Sequence, residues 1–422
     1  MATKEKDYLY TEAEVRKMWT RTKPEQLQIA QAKCLEAIVR TDGRLAVSFS
    51  GGKDSAVVLW IMAQMWALST HKNEPLKVFF ANTTNEFTCA TKYRKMYIAW
   101  IEQQFEIKIE YHETRSDHSY FEILDMVGLP FVSKKVSRMV RDCKETLKRL
   151  GLRYADIEQY MPKHYTKNSY DEMLAAAEKL RELGFNDTVI LNLTKIRSDN
   201  RIGLRFLPVK YRPILDNDEI VLSEQCCTFL KKEPISKAEK EMGGLLPVTG
   251  EMAMDSRDRM EAYRTTGCNL FDSDKPKSKP IGPMTEQTVL WIIKTYGLPI
   301  MQAYGECVHC GKQTGDIETE ELTLTGEQRT GCKLCGFGIT YDPDRFIRLQ
   351  KLEPNVVKFA FTSKKNGGLG YREICQFLNE KCGMKIGIPD TEEGYYEKRA
   401  IAYKEKTKQQ EAMEVAAVEE ES

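Results

Sequence analysis

The hexapeptide Ser50-Gly51-Gly52-Lys53-Asp54-Ser55 gathers the groups that hold a phosphate chain. Gly51 and Gly52 let the backbone approach an anion with no Cβ in the way. Ser50 and Ser55 add hydroxyl donors, Ser48 joins them from the end of the preceding strand, and Lys53 supplies a compact positive charge. Asp54 would repel a bare phosphate, so its expected task is to orient neighbours or to help hold Mg²⁺. A Gly- and Ser-rich turn that only caps a helix is the alternative. The spacing is not that of a Walker loop, which needs four residues between Gly and Gly-Lys.

The surrounding elements suit an anion site. Leu45 to Phe49 reads as a strand that runs into the loop, and Ala56 to Leu68 as an apolar helix. Backbone N–H groups are unpaired at such a helix start, and the helix dipole favours negative charge there. Further strands are expected at 76–81, 107–112, 188–193, near 205–210 and at 248–253. Helices are expected over 8–40, 91–105, 256–263 and 285–296, with a helical insertion over 140–185. Strands alternating with helices predict an α/β fold, an open, twisted parallel sheet with helices on both faces. The expected organisation is an N-terminal helical segment (1–40), a nucleotide-binding domain (41–300), a Cys-rich segment (301–350), a C-terminal helical region (351–405) and a charged tail (406–422). The tail reads as a frayed helix or as disorder.

Several motifs narrow the class. The loop resembles the PP-loop of the ATP pyrophosphatase superfamily, whose members cleave ATP between the α and β phosphates, usually to adenylate a substrate. Gln225-Cys226-Cys227 with Lys231, Lys232 and Pro234 resembles a segment of the phosphoadenylylsulfate (PAPS) reductase family. So do Gly250-Glu251 with Asp255-Ser256-Arg257-Asp258-Arg259, and Thr285-Glu286-Gln287 with Val289-Leu290, where Met284 replaces a tryptophan. Gly128-Leu129-Pro130 with Ser133-Lys134, and Arg329-Thr330-Gly331-Cys332 with Cys335-Gly336-Phe337-Gly338, complete the likeness, which runs with gaps over about 45–350. It implies that Ser133 and Lys134 help bind the nucleotide. Arg257 and Arg259, two apart, could fork onto phosphate or sulfate oxygens.

Two departures move the reading from sulfonucleotide towards ATP. True reductases carry a catalytic Glu-Cys-Gly near the C-terminus, but here the last cysteine stands in Lys381-Cys382-Gly383. They also degrade the phosphate loop, which is intact here. The expected function is therefore ATP cleavage that activates a substrate for sulfur transfer or nucleic-acid modification. The alternatives are a reductase yielding sulfite, and a non-catalytic nucleotide-binding subunit of a DNA-modification or defence assembly.

Twelve cysteines allow two metal sites. The resemblance implies a [4Fe–4S] cluster on Cys226, Cys227, Cys332 and Cys335, four thiolates being what such a cluster needs. Spacing alone also allows a zinc ribbon on Cys307, Cys310, Cys332 and Cys335, although the 21-residue gap between its pairs is long. The two sites exclude each other, since both claim Cys332 and Cys335.

Composition excludes little else. Of 422 residues, 41% are apolar and 30% charged, with a net charge of +1, so bulk charge gives no reason for non-specific attraction to DNA or lipid. No apolar stretch approaches a membrane span, and the charged start does not resemble a secretory signal. The expected location is cytoplasmic, with the adenine nucleotide as ligand, no membrane partner, and a nucleic acid, a protein or a second copy as other partners.

Overall fold

The computed structural model describes residues 8–241, 243–311 and 315–420. In chain order its strands are β1 (Leu45–Ser48), β2 (Leu76–Asn82), β3 (Ile109–Arg115), β4 (Phe131–Val132), β5 (Leu246–Val248), β6 (Asn269–Leu270), β7 (Lys277–Ser278), β8 (Cys307–Cys310), β9 (Glu321–Leu324) and β10 (Gly336–Phe337). The chain divides into two compact units, one of residues 1–117 and 230–333, the other of residues 118–229 and 334–422. They interleave in sequence, where the sequence reading divides the chain into consecutive segments.

The first unit is built on a six-stranded sheet of order β3-β2-β1-β5-β7-β6. All its pairings are parallel except the β6–β7 edge, where the ladder turns antiparallel. The α/β class expected from the sequence is present, with helices flanking a mixed, largely parallel sheet. β1 and the helix Lys53–Ala67 form its centre. Leu45, Ala46 and Val47 are buried, and so are most residues of that helix. An element apolar all round belongs in an interior, and the alanine-, valine- and methionine-rich run Ala56–Met65 gives it that character. β1 lies between β2 and β5, so connections leave it in opposite directions along the sheet. Open α/β sheets hold their ligands at the carboxyl end of such a strand.

Local signals explain the flanking helices. Lys23–Thr41 starts at Thr22, whose side chain and that of Glu25 form a reciprocal capping box. Arg257–Thr266 is capped by Ser256, and Glu286–Tyr296 by Thr285. β8 and β9 form an antiparallel hairpin.

The second unit is mainly helical. The insertion expected over 140–185 is helical and begins earlier, as Lys134–Arg149, Tyr154–Glu158 and Tyr170–Glu182. Three expected strands differ: the one expected at 248–253 ends at Val248 as β5 and gives way to loop and a 3₁₀ turn at Ala253–Asp255, and two others are not strands. Residues 187–194 form a helix, because Asn186 Oδ1 accepts the Val189 N–H at 3.0 Å and Val189, Ile190 and Leu193 are buried at helical spacing. Residues 209–216 form 3₁₀ turns between Pro208 and Pro213, where ladder N–H groups are lacking. β4 and β10 pair in parallel. The helix Glu397–Glu420 covers most of the expected tail. No helix among the described residues is long and apolar enough to cross a membrane.

Candidate functional site

The loop after β1 is held from below and from the side. Phe49 N–H donates to Phe79 O at 2.8 Å, which ties the loop to β2. Ser55 Oγ donates to Gly52 O at 2.8 Å and lies 3.2 Å from Ser50 Oγ, and Gly52 N–H donates to Ser50 Oγ at 3.3 Å. Two of the expected hydroxyls thus shape the loop as well as facing its cavity. Gly51 has φ +84°, a left-handed conformation that a side chain adopts only under strain. Gly250 is needed for a different reason. A Cβ there would stand 3.0 Å from the Asp54 carbonyl carbon, so the strand–loop segment after β5 touches the helix start as bare backbone.

Lys53 is the first residue of the helix, and its side chain is only 3% exposed. Nζ lies 3.3 Å from Asp54 Oδ1 and 3.2 Å from Glu286 Oε1. Burial alone would lower the ammonium, but Asp54, Tyr304 and Glu286 outweigh it and hold Lys53 above its ordinary value. It is therefore fully charged at neutral pH. Burial pushes the Asp54 carboxyl up; Lys53 opposes this, and Asp255 and Glu286 add to it.

A cavity of about 400 Å³ opens on this loop, within the size range of small-ligand sites. Ser48, Ser50, Gly52, Lys53, Asp54 and Ser55 line it, as do Phe79, Phe80, Phe87 and Ala90 on an apolar side. Glu251, Asp255, Arg259, Tyr304, Arg329 and Thr330 contribute a polar side. Asp255 accepts from both Arg259 and Arg329, the latter at 3.1 Å, so one carboxylate aligns two guanidinium groups at the rim.

The expected residues do not all gather here. Gly51 belongs to the loop but is not among the lining residues. Arg257 is exposed and is also outside the lining. Ser133 and Lys134 belong to the second unit, where Ser133 Oγ accepts the Val136 N–H at 3.2 Å and caps the helix Lys134–Arg149. Tyr304, Glu286 and Arg329 were not singled out as site residues. Arg329 and Glu286 each sit in a segment that carries the family likeness, whereas nothing in the spacing around Tyr304 marks it.

Mg²⁺ fits the residues present. Asp54 Oδ1 is buried at the cavity, accepts no hydrogen bond and has only the Lys53 ammonium beside it at 3.3 Å, so the carboxylate could also face a cation there. Among the described residues no group of three or more His, Cys, Asp or Glu is arranged to hold a metal ion. A divalent ion here would take one or two protein oxygens and draw the rest from phosphate and water, as Mg²⁺ commonly does.

The cysteine sets do not fit so well. Cys307 and Cys310 lie three apart on β8, so the pleat turns them to opposite faces. Cys307 is buried, with Sγ 3.7 Å from Leu290 O. A zinc knuckle needs both thiols converging, and this pair does not converge. Cys332 belongs to the first unit, with Sγ 3.6 Å from Thr83 Oγ1, while Cys226, Cys227 and Cys335 belong to the second. There the Leu334 carbonyl accepts from Tyr371 Oη at 2.7 Å, and burial pushes that hydroxyl up, Tyr120 opposing and Cys335, Cys226 and Cys375 adding. Among the described residues no group of three or more ligands is gathered, so the [4Fe–4S] cluster expected on Cys226, Cys227, Cys332 and Cys335 is not shown.

Sheet, loop and cavity together define an α/β chain with a Gly- and Ser-rich loop opening on a cavity at the carboxyl end of its central strand. A comparison of folds aligns it with the crystal structure of a phosphoadenylyl-sulfate (PAPS) reductase from Candida auris, a phosphate complex. The two are 12% identical, the alignment covers 65% of this chain and 82% of that chain, and the TM-score is 0.31. No protein-family model matches the chain, and no curated protein does.

Proposed function

We propose that the chain binds ATP with Mg²⁺ in the cavity on the Ser50–Ser55 loop and cleaves it between the α and β phosphates to activate an acceptor. The observation that carries the reading is Lys53, a buried ammonium at a helix start, paired with the Asp54 carboxylate and lining a cavity with an apolar side. An adenine ring suits the Phe79–Phe80–Phe87 side, and a triphosphate suits the loop amides and Lys53. An acceptor oxygen attacks the α-phosphorus, the α–β bond breaks, and its electron pair leaves with pyrophosphate. Lys53 neutralises the charge that grows on the leaving group, and Asp54 would hold the Mg²⁺ that would add to this neutralisation. Arg259 and Arg329, aligned by Asp255, meet the acceptor's anion or the α-phosphate.

The intact Ser50–Ser55 loop supports ATP over a sulfonucleotide. Sulfur transfer or nucleic-acid modification is the use that the sequence likeness suggests for the activated product. The test is to incubate the protein with Mg²⁺ and ATP and resolve the products. AMP with pyrophosphate supports the reading, and ADP with phosphate sinks it.

A further inference from the structure

Arg94 lies in the helix Thr88–Phe105 and is 2% exposed, a depth at which a guanidinium needs compensation. Its Cζ stands 3.7 Å from the centroid of the Phe80 ring, and Nη2 donates to Thr91 Oγ1 at 3.3 Å. Nη1 is buried with no hydrogen-bond partner; the Phe80 ring, the Tyr111 hydroxyl and the Glu113 carboxylate share the compensation of the charge, the ring alone being part of the cavity wall. The same side chain reaches the phosphate loop. A Cβ on Gly51 would meet Arg94 Cγ at 3.3 Å and Cδ at 3.8 Å. Phe80 lines the cavity, and Gly51 sits inside the loop that carries Lys53.

We infer that Arg94 is a positioning residue that sets the base-binding wall against the phosphate loop, so that the site selects a nucleoside triphosphate over a bare phosphate chain. The inference rests on the nucleotide reading above. Its guanidinium fixes the plane of Phe80, its methylene stem supports the left-handed turn at Gly51, and it touches neither the reacting atoms nor the phosphates. Removing the guanidinium while keeping the stem frees the Phe80 ring and leaves the loop supported. The loss should therefore fall on the base and not on the phosphates.

The experiment measures binding of ATP and of inorganic pyrophosphate, each with Mg²⁺, to the wild-type chain and to Arg94→Met and Arg94→Lys. For Arg94→Met the expected result is ATP binding weakened about tenfold or more, with pyrophosphate binding changed less than about twofold. Arg94→Lys should recover little, because an ammonium on a flexible stem does not lie flat over a ring. Equal weakening of both ligands, no weakening of either, or full recovery in Arg94→Lys would overturn the inference and leave the nucleotide reading standing. A wild-type chain that binds neither ligand would remove that reading, and this one with it. Thermal melting checks that each variant folds. If Arg94→Met does not, Phe80→Leu carries the test, with the same ATP-selective loss expected and its absence contradicting the inference.

Discussion

The Tyr304 hydroxyl accepts the Lys53 backbone N–H at 2.9 Å and lies 2.6 Å from Thr330 Oγ1. It satisfies one of the orphan donors at the start of the phosphate-loop helix, and it joins that start to the Arg329–Gly331 segment that lines the cavity. Removing the hydroxyl leaves a buried N–H unpaired. Tyr304→Phe should therefore cost about 1–3 kcal/mol of stability, read as a lower urea midpoint at an unchanged slope. An unchanged midpoint would show that the contact contributes nothing.

Gly51 and Arg94 form a second tight relationship. Gly51→Ala forces a left-handed φ on a side chain and presses its methyl on the Arg94 stem. The expected cost is about 1–2 kcal/mol of stability together with weaker ATP binding. Unfolding and calorimetric titration of the same sample check both.

The two arginines that look equivalent in sequence are not equivalent in the fold. Arg259 lines the cavity and bonds Asp255, while Arg257 stands outside it. Arg259→Ala should lower the rate of pyrophosphate release by roughly tenfold or more, as expected for a lost charged contact to an anion. Arg257→Ala should leave it within about twofold. Similar losses in both would contradict this placement.

Lys144 provides a pH test in the second unit. Its Nζ donates to Ile220 O at 2.9 Å and to Asn217 O, and burial pushes it down to about 8, with Asp218 and Asp216 opposing. In the unfolded chain it keeps its ordinary value of 10.5. Below pH 8 both states hold the proton, and the folded state carries the cost of burying the charge. Between 8 and 10.5 the unfolded state binds more protons, so stability from this group rises with pH. The midpoint difference between wild type and Lys144→Met should shift in favour of wild type from pH 7.5 to 10. A constant difference would refute it.

Much of the fold was legible because its signals are local. The apolar run of β1, the glycines and the following helix announce themselves within twenty residues, and Ser256 and Thr285 mark helix starts. The misread strands have separate local causes. Thr188-Val189-Ile190 is β-branched and reads as a strand, but the Asn186 cap and one-sided burial make it a helix. At the site, the loop and Arg259 were legible. Tyr304 and Arg94 were not, and Glu286 was legible only as part of a motif and not as a partner of Lys53, because each reaches Lys53 or Gly51 only through tertiary packing, Tyr304 from 251, Glu286 from 233 and Arg94 from 43 residues away. Cys307 and Cys310 have ligand spacing, and only the strand between them shows that they face apart.

The central claim is that Lys53 and its loop hold ATP. Calorimetric titration of Mg²⁺–ATP into the wild-type chain and into Lys53→Met tests it most directly. The account predicts saturable one-to-one binding in the wild type and at least about tenfold weaker binding in the variant, which corresponds to roughly 1.4 kcal/mol. Equal affinity in the two proteins, or no saturable binding to the wild type, would contradict it.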